Sequence, residues 1–132
     1  MSLIQLQARL QTLSNEYQKL QADLAVAVEA RQRLDAQLGE NELVKKEFQQ
    51  LTPENTVYKM VGPVLVPQDH AEAKSNVEKR LDFIKDDIKR VEAQLKDLSE
   101  KSDKKKMEIV EVQTSLQQEI QKAQGTAPAV TA

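Results

Sequence analysis

Residues 56–67 constrain the fold of this 132-residue chain more than any other stretch. Two runs rich in β-branched residues, 57–61 and 64–66, flank the dipeptide Gly62-Pro63. Two such runs separated by two turn residues predict a tight β-hairpin. Gly62 can take the positive φ of a type II′ turn, and Pro63 supplies the negative φ that follows. The residues then pair outward from the turn, from Val61 with Val64 to Tyr58 with Pro67.

Both faces of this ribbon are predicted to be mostly apolar, with Lys59 as the one charged interruption. An isolated two-stranded hairpin is marginal in water, and its free edges invite further strands. We therefore expect the hairpin to complete a sheet supplied by other chains. The alternative is a stiff turn that folds back on the helix ends. The residues assigned to subunit assembly are Val57, Tyr58, Met60, Val61, Gly62, Pro63, Val64, Leu65 and Val66.

A long amphipathic helix is predicted on each side of the hairpin. Apolar residues follow the alternating 3–4 spacing of a coiled-coil seam before the hairpin and again after it. Ser2 with Gln5, and Asp69 with Glu72, have the spacing of capping boxes. We predict a single domain over residues 1–132, with helix 1 at about 3–51, the hairpin at about 56–67, helix 2 at about 70–124 and a disordered tail at 125–132. The fold class is mostly α, with two antiparallel coiled-coil helices whose paired residue numbers sum to roughly 120.

The predicted seam has irregular positions. Arg31 is a charged seam residue, and we interpret it as a register device rather than a binding site. Gly39 lies where the apolar pattern slips, which predicts a phase change in helix 1. Ser102, Lys105 and Glu119 place polar groups in the second half of helix 2, and such groups weaken pairing. We therefore expect the helix ends near the termini to be loosely wound and to expose aliphatic surface.

Few residues could support chemistry. The absence of cysteine excludes disulfides, zinc–thiolate sites and thiol catalysis. His70 is interpreted as a helix-start residue, and the basic run 104–106 lacks the interleaved aromatics of a nucleic-acid site. The net charge of −2 gives no long-range attraction to nucleic acid, and no apolar run is long enough to cross a bilayer. The first residues lack the pattern of a secretory signal. We expect an intracellular, non-enzymatic protein without cofactor, metal, nucleic-acid or membrane partner.

Two heptad helices joined by one hairpin resemble the β-type subunits of prefoldin. Three segments carry the resemblance: RQRLDAQLGEN at 31–41, VYKMVGPVLV at 57–66 and EAKSNVEKRLDFI at 72–84. Pro67 and His70 stand where the resemblance leads us to expect more charge. Because Pro67 cannot donate a ladder hydrogen bond, we expect an edge or the end of the strand there.

The resemblance implies a subunit of a cytoplasmic, ATP-independent heterohexameric co-chaperone. Hairpins of α- and β-type subunits would join into an intersubunit β-barrel. The coiled-coil tips would hold unfolded proteins, notably actin and tubulin, and pass them to the cytosolic chaperonin. A structural tether with the hairpin as hinge is the alternative. The residues assigned to client binding are Leu3, Ile4, Leu6, Leu10, Ile109, Val110, Val112, Leu116 and Ile120.

Overall fold

The computed structural model describes residues 1–125 and contains two long helices with two short strands between them. Helix α1 spans Leu3–Gln50, strands β1 and β2 span Val57–Val61 and Val64–Gln68, and helix α2 spans His70–Gly125. This arrangement confirms the predicted mostly α fold with one hairpin between two helices. Gly125 ends α2 rather than opening the predicted tail, and residues 126–132 lie outside the described part of the chain.

Side chains cap both helices where the sequence patterns indicate. At the start of α1, the Ser2 amide donates to Gln5 Oε1 over 3.0 Å, and the Gln5 amide donates to Ser2 Oγ over 3.3 Å. At the start of α2, the Glu72 amide donates to Asp69 Oδ2 over 3.1 Å. These bonds satisfy amide groups that the first turn of a helix leaves without partners.

A short turn connects α1 to β1 and is tied to the start of α2. Asn55 Oδ1 accepts hydrogen bonds from the Thr52 amide (2.8 Å) and from Thr52 Oγ1 (3.0 Å). The backbone carbonyl of Asn55 pairs with His70 Nε2, which donates to it. The histidine therefore anchors the connector at the first residue of α2, in agreement with its interpretation as a helix-start residue.

The hairpin has the predicted register, from Val61 opposite Val64 to Tyr58 opposite Pro67. Gly62 has a φ of 61°, which together with the fixed negative φ of Pro63 satisfies a type II′ turn. The strand does not stop at Pro67, because Gln68 still pairs with Val57. Since β1 and β2 form a two-stranded sheet, each has one outer edge without a strand beside it in the described chain.

The chain divides into two compact units, which we describe separately. The terminal unit consists of residues 1–27 and 94–125 within the described chain. Its core contains Leu6, Leu13 and Val112, which are at most 8% exposed, and the half-buried residues packed against them are Leu10, Ile109 and Leu116. The expectation of a loosely wound seam near the termini is therefore wrong, because these aliphatic side chains close it.

Polar seam positions of the terminal unit find partners on the opposite helix. Ser102 is 5% exposed, and its Oγ accepts a hydrogen bond from Gln21 Nε2. Lys105 Nζ lies 2.6 Å from Glu16 Oε2 and 3.7 Å from Glu108 Oε2. The hydrogen bond to Glu16 is the main cause that raises the pKa of Lys105 above its ordinary value. The pairing follows the register expected for antiparallel helices.

The hairpin unit consists of residues 28–93. Its buried side chains recur at helical spacing along α2: Ala73, Leu81, Ile84 and Ile88. Arg31 bonds to Asp35 on its own helix and, over 2.8 Å, to Glu92 on α2, which fits the register device inferred for it. α1 continues without interruption through Gly39, where an added Cβ would meet no atom within 4 Å.

Candidate subunit-assembly and client-binding surfaces

The hairpin exposes apolar side chains on both of its faces. Six of them are between 42% and 68% exposed: Tyr58, Met60, Val61, Val64, Leu65 and Val66. Val57 is half-buried, and Gly62 and Pro63 are exposed at the turn. All nine residues assigned to assembly thus lie on one contiguous ribbon. A ribbon with both faces apolar and both outer edges unpaired has the chemistry of an interface rather than of a solvated surface.

A cleft of about 580 Å³ lies between the hairpin and the helices of the same unit. We call it the hairpin cleft. Its larger lining side chains, which are aromatic, amide or cationic, are Phe48, Tyr58, Lys59, Gln68, Asn76 and Arg80. Arg80 and Asn76 stand four residues apart on α2 and so share a helical face. No sequence pattern indicates this cleft, because neither Lys59 nor Arg80 belongs to a heptad or capping pattern.

The nine residues assigned to client binding have three different environments in the terminal unit. Leu6 and Val112 are buried in its core. The half-buried members are Leu3, Leu10, Ile109 and Leu116. The exposed members are Ile4, Val110 and Ile120. The client-binding assignment stays a prediction, and the exposed members are those that could touch another molecule without opening the seam.

An open groove of about 480 Å³ runs beside Val110 in the same unit. Tyr17, Ile109 and Val110 are among its lining residues. Met107, one turn before Val110, is 68% exposed and was missed by the sequence reasoning because it lies off the heptad seam. A search for exposed aliphatic residues three or four positions apart would have found this pair.

The described residues contain no group of three metal-ligating side chains from histidine, cysteine, aspartate and glutamate. Within residues 1–125, no helix combines the length and the hydropathy that a membrane span requires. The surface features of the described chain that could contact other molecules are its apolar ribbon, its hairpin cleft and the exposed aliphatic residues of its terminal unit.

Comparison with known proteins decides the family. The family described as prefoldin subunit matches residues 11–127. The chain belongs to the prefoldin family. It is 46% identical over 119 residues to prefoldin subunit 6 of Bos taurus, an alignment that covers 90% of this chain and 89% of the relative. It is 44% identical over 112 residues to prefoldin subunit 6 of Arabidopsis thaliana, covering 85% of this chain and 87% of the relative.

A solved structure supports the same fold. The crystal structure of the prefoldin beta subunit from Thermococcus strain KS-1 matches with a TM-score of 0.71 at 22% identity. The match covers 82% of this chain and 92% of that one. The resemblance to β-type prefoldin subunits, which three short segments indicated, is confirmed. Prefoldin subunits are chaperones that assemble with other prefoldin subunits.

Proposed function

We propose that this prefoldin subunit is a β-type member of a cytoplasmic heterohexamer that holds unfolded proteins without hydrolysing ATP. Its hairpin would join those of α- and β-type neighbours in a β-barrel. Its terminal unit would contact clients such as actin and tubulin, which then pass to the cytosolic chaperonin. The observation that supports the proposal most strongly is the hairpin, whose two faces are apolar and exposed.

Burial of the ribbon supplies the driving force for assembly. Removing one valine, leucine or methionine side chain from water contributes about 1.5–3 kcal/mol. Several such side chains can offset the loss of translational and rotational freedom on association, which is on the order of 4–15 kcal/mol. Closing the sheet into a barrel also pairs the outer edges of β1 and β2.

Client contact would use the exposed aliphatic residues of the terminal unit. Ile4 is 77% exposed and Val110 is 53% exposed, whereas Leu6 and Val112 are buried. In this view the buried residues keep the helices paired, and the exposed ones bind clients through weak, unspecific apolar contacts. Such contacts suit partners of varied sequence.

The test uses the hexamer reconstituted with its sister subunits and chemically denatured actin. In the triple variant Ile4→Ser, Val110→Ser and Ile120→Ser, we expect assembly to persist and suppression of actin light scattering to weaken severalfold. Leu43→Ser is the matched control, because Leu43 is 63% exposed but belongs to the hairpin unit. Equal protection by the triple variant and the control would contradict client contact at these residues. Added ATP should change nothing.

A second experiment separates the chaperone from the tether. A chain trimmed to residues 22–110 keeps the hairpin unit but loses Leu6, Leu13 and Val112. We expect it to enter the hexamer and to lose protection of clients. A tether would instead pair with itself and show no preference for denatured over native actin.

A further inference from the structure

The hairpin cleft is lined by groups that donate hydrogen bonds or carry positive charge. Lys59, whose side chain ends in an ammonium, and Arg80, whose side chain ends in a guanidinium, line it together with the amide residues Asn76 and Gln68. No carboxylate of the described chain lines the cleft. The cleft is therefore complementary to a negatively charged group such as an acidic side chain.

The two cations of the cleft have no partner in the described chain. Neither Lys59 nor Arg80 forms an ion pair or a side-chain hydrogen bond within residues 1–125. Other cations do: Arg31 bonds to Glu92 and Lys105 to Glu16. Glu78 and Asp82 each lie two residues from Arg80 on α2, a spacing at which helical side chains do not face each other, so neither is placed to pair with it.

Apolar side chains form part of the cleft wall. Phe48 of α1 and Val77 of α2 line it together with Val57, Tyr58 and Met60 of the hairpin. Apolar walls lower the local dielectric constant once water is displaced, and they strengthen the attraction between opposite charges. Tyr58 and Met60 also belong to the exposed ribbon, so the cleft is continuous with the surface proposed for assembly.

We propose that the hairpin cleft binds an aspartate or glutamate side chain of the neighbouring prefoldin subunit, paired with Lys59 and Arg80. The inference rests on the proposed function, because the hairpin interface brings that neighbour to the cleft. The occupant is an acidic residue flanked by apolar ones, which match Phe48 and Val57, the residue that shares a strand face with Lys59. The ribbon supplies the area of the interface, and the charge pair selects which neighbour sits there.

Competition during assembly tests this pairing. Equal amounts of wild-type and variant chain are reconstituted with the sister subunits at low salt, and native mass spectrometry gives the ratio incorporated. We expect Arg80→Glu and Lys59→Glu to be incorporated about tenfold less than wild type, as for charge pairs at interfaces. The deficit should shrink at high salt. Arg80→Lys keeps the charge and should compete nearly as wild type.

Lys79→Glu is the matched control. It makes the same change in net charge on the same helix, one residue before Arg80, and Lys79 is exposed outside the cleft. We expect wild-type incorporation for it. Incorporation of Arg80→Glu equal to wild type, or a deficit as large for Lys79→Glu, would overturn the proposal. Circular dichroism of each variant establishes that helix content is retained.

Two further readouts keep this inference separate from the proposed function. A zero-length carbodiimide reagent joins a lysine amine to a carboxylate in contact with it, so we expect a cross-link from Lys59 to an acidic residue of another subunit. Cross-links to client alone would overturn the proposal. The double variant Val61→Ser and Val64→Ser lies outside the cleft. If it assembles normally, assembly through the hairpin is wrong; if it fails while Arg80→Glu competes normally, only the cleft pairing is wrong.

Discussion

The terminal unit and the hairpin of this prefoldin subunit differ in how far their paired apolar side chains are buried within the chain. In the terminal unit, Leu6, Leu13 and Val112 are buried against the facing helix, and the polar seam residue Lys105 is paired. In the hairpin, Met60 and Leu65 face each other across the strands, yet both remain exposed. The first region buries its seam residues within one chain, whereas the second leaves its cross-strand apolar pairs exposed in the described chain.

The largest effect should come from the hairpin. In the double variant Val61→Ser and Val64→Ser, two exposed valines lose their apolar methyl groups. At roughly 1.5 kcal/mol or more for each lost burial, assembly should weaken by about 100-fold. Native mass spectrometry measures hexamer formation, and thermal melting of the isolated chain should change little. A large loss of stability in the isolated chain would mean that the hairpin valines are already buried within one chain, as the seam residues of the terminal unit are.

The next effect belongs to the core of the terminal unit. Leu13→Ala removes a side chain that is 2% exposed, and comparable truncations cost about 2–5 kcal/mol of unfolding free energy. Urea unfolding followed by circular dichroism measures it. Leu43→Ala is the control, because Leu43 is exposed and should change stability by no more than about 0.5 kcal/mol. Similar values for both variants would mean that the terminal seam is not a closed core.

Two glycines distinguish a turn that needs glycine from a helix that does not. Gly62→Ala places a Cβ at a φ of 61°, which costs about 1–2 kcal/mol. Gly39→Ala introduces a Cβ that meets no atom within 4 Å in the interior of α1, and should stabilise the chain by about 1 kcal/mol. The two variants should move the melting temperature in opposite directions. Destabilisation by Gly39→Ala would mean that α1 needs a glycine at that position.

The smallest effect concerns the ion pair in the seam of the terminal unit. Because Glu16 raises the pKa of Lys105 in the folded chain, the pair stabilises the fold fully below the ordinary lysine pKa of about 10.4. That contribution is lost as the pH rises through the raised pKa. Melting temperatures measured from neutral to strongly alkaline pH should fall less for Glu16→Gln than for wild type over this window. The exposed Glu29→Gln is the control and should follow wild type.

Much of the fold is readable from local sequence rules. The dipeptide Gly62-Pro63 determined both the turn and the register, because few turn types accept a positive φ followed by proline. Ser2 with Gln5 predicted the cap that begins α1. These features were predictable because each depends on residues a few positions apart.

Features that depend on the facing helix were harder to predict. The heptad pattern alone makes Lys105 a weak seam position, yet its ammonium forms an ion pair with Glu16 on the other helix. The predicted antiparallel register already placed these two residues opposite each other, so a search for complementary charges across it would have found the pair. No comparable rule places Lys59 and Arg80 beside one cleft, since that requires the path of the chain through the connector at 51–56.

Pro67 makes the two margins of the ribbon chemically unequal. Proline has no amide hydrogen, which is tolerated in a non-hydrogen-bonded pair, where the main-chain groups of both residues point away from the partner strand. Tyr58 and Pro67 form such a pair. Because the two kinds of pair alternate along the strands, Met60 and Leu65 also form a non-hydrogen-bonded pair. The margin of β1 therefore offers two outward amide donors, at Tyr58 and Met60, whereas the matching stretch of β2 offers one, at Leu65. A strand added from another subunit would meet a fuller set of donors at the margin of β1, so the two margins are not equivalent partners for it.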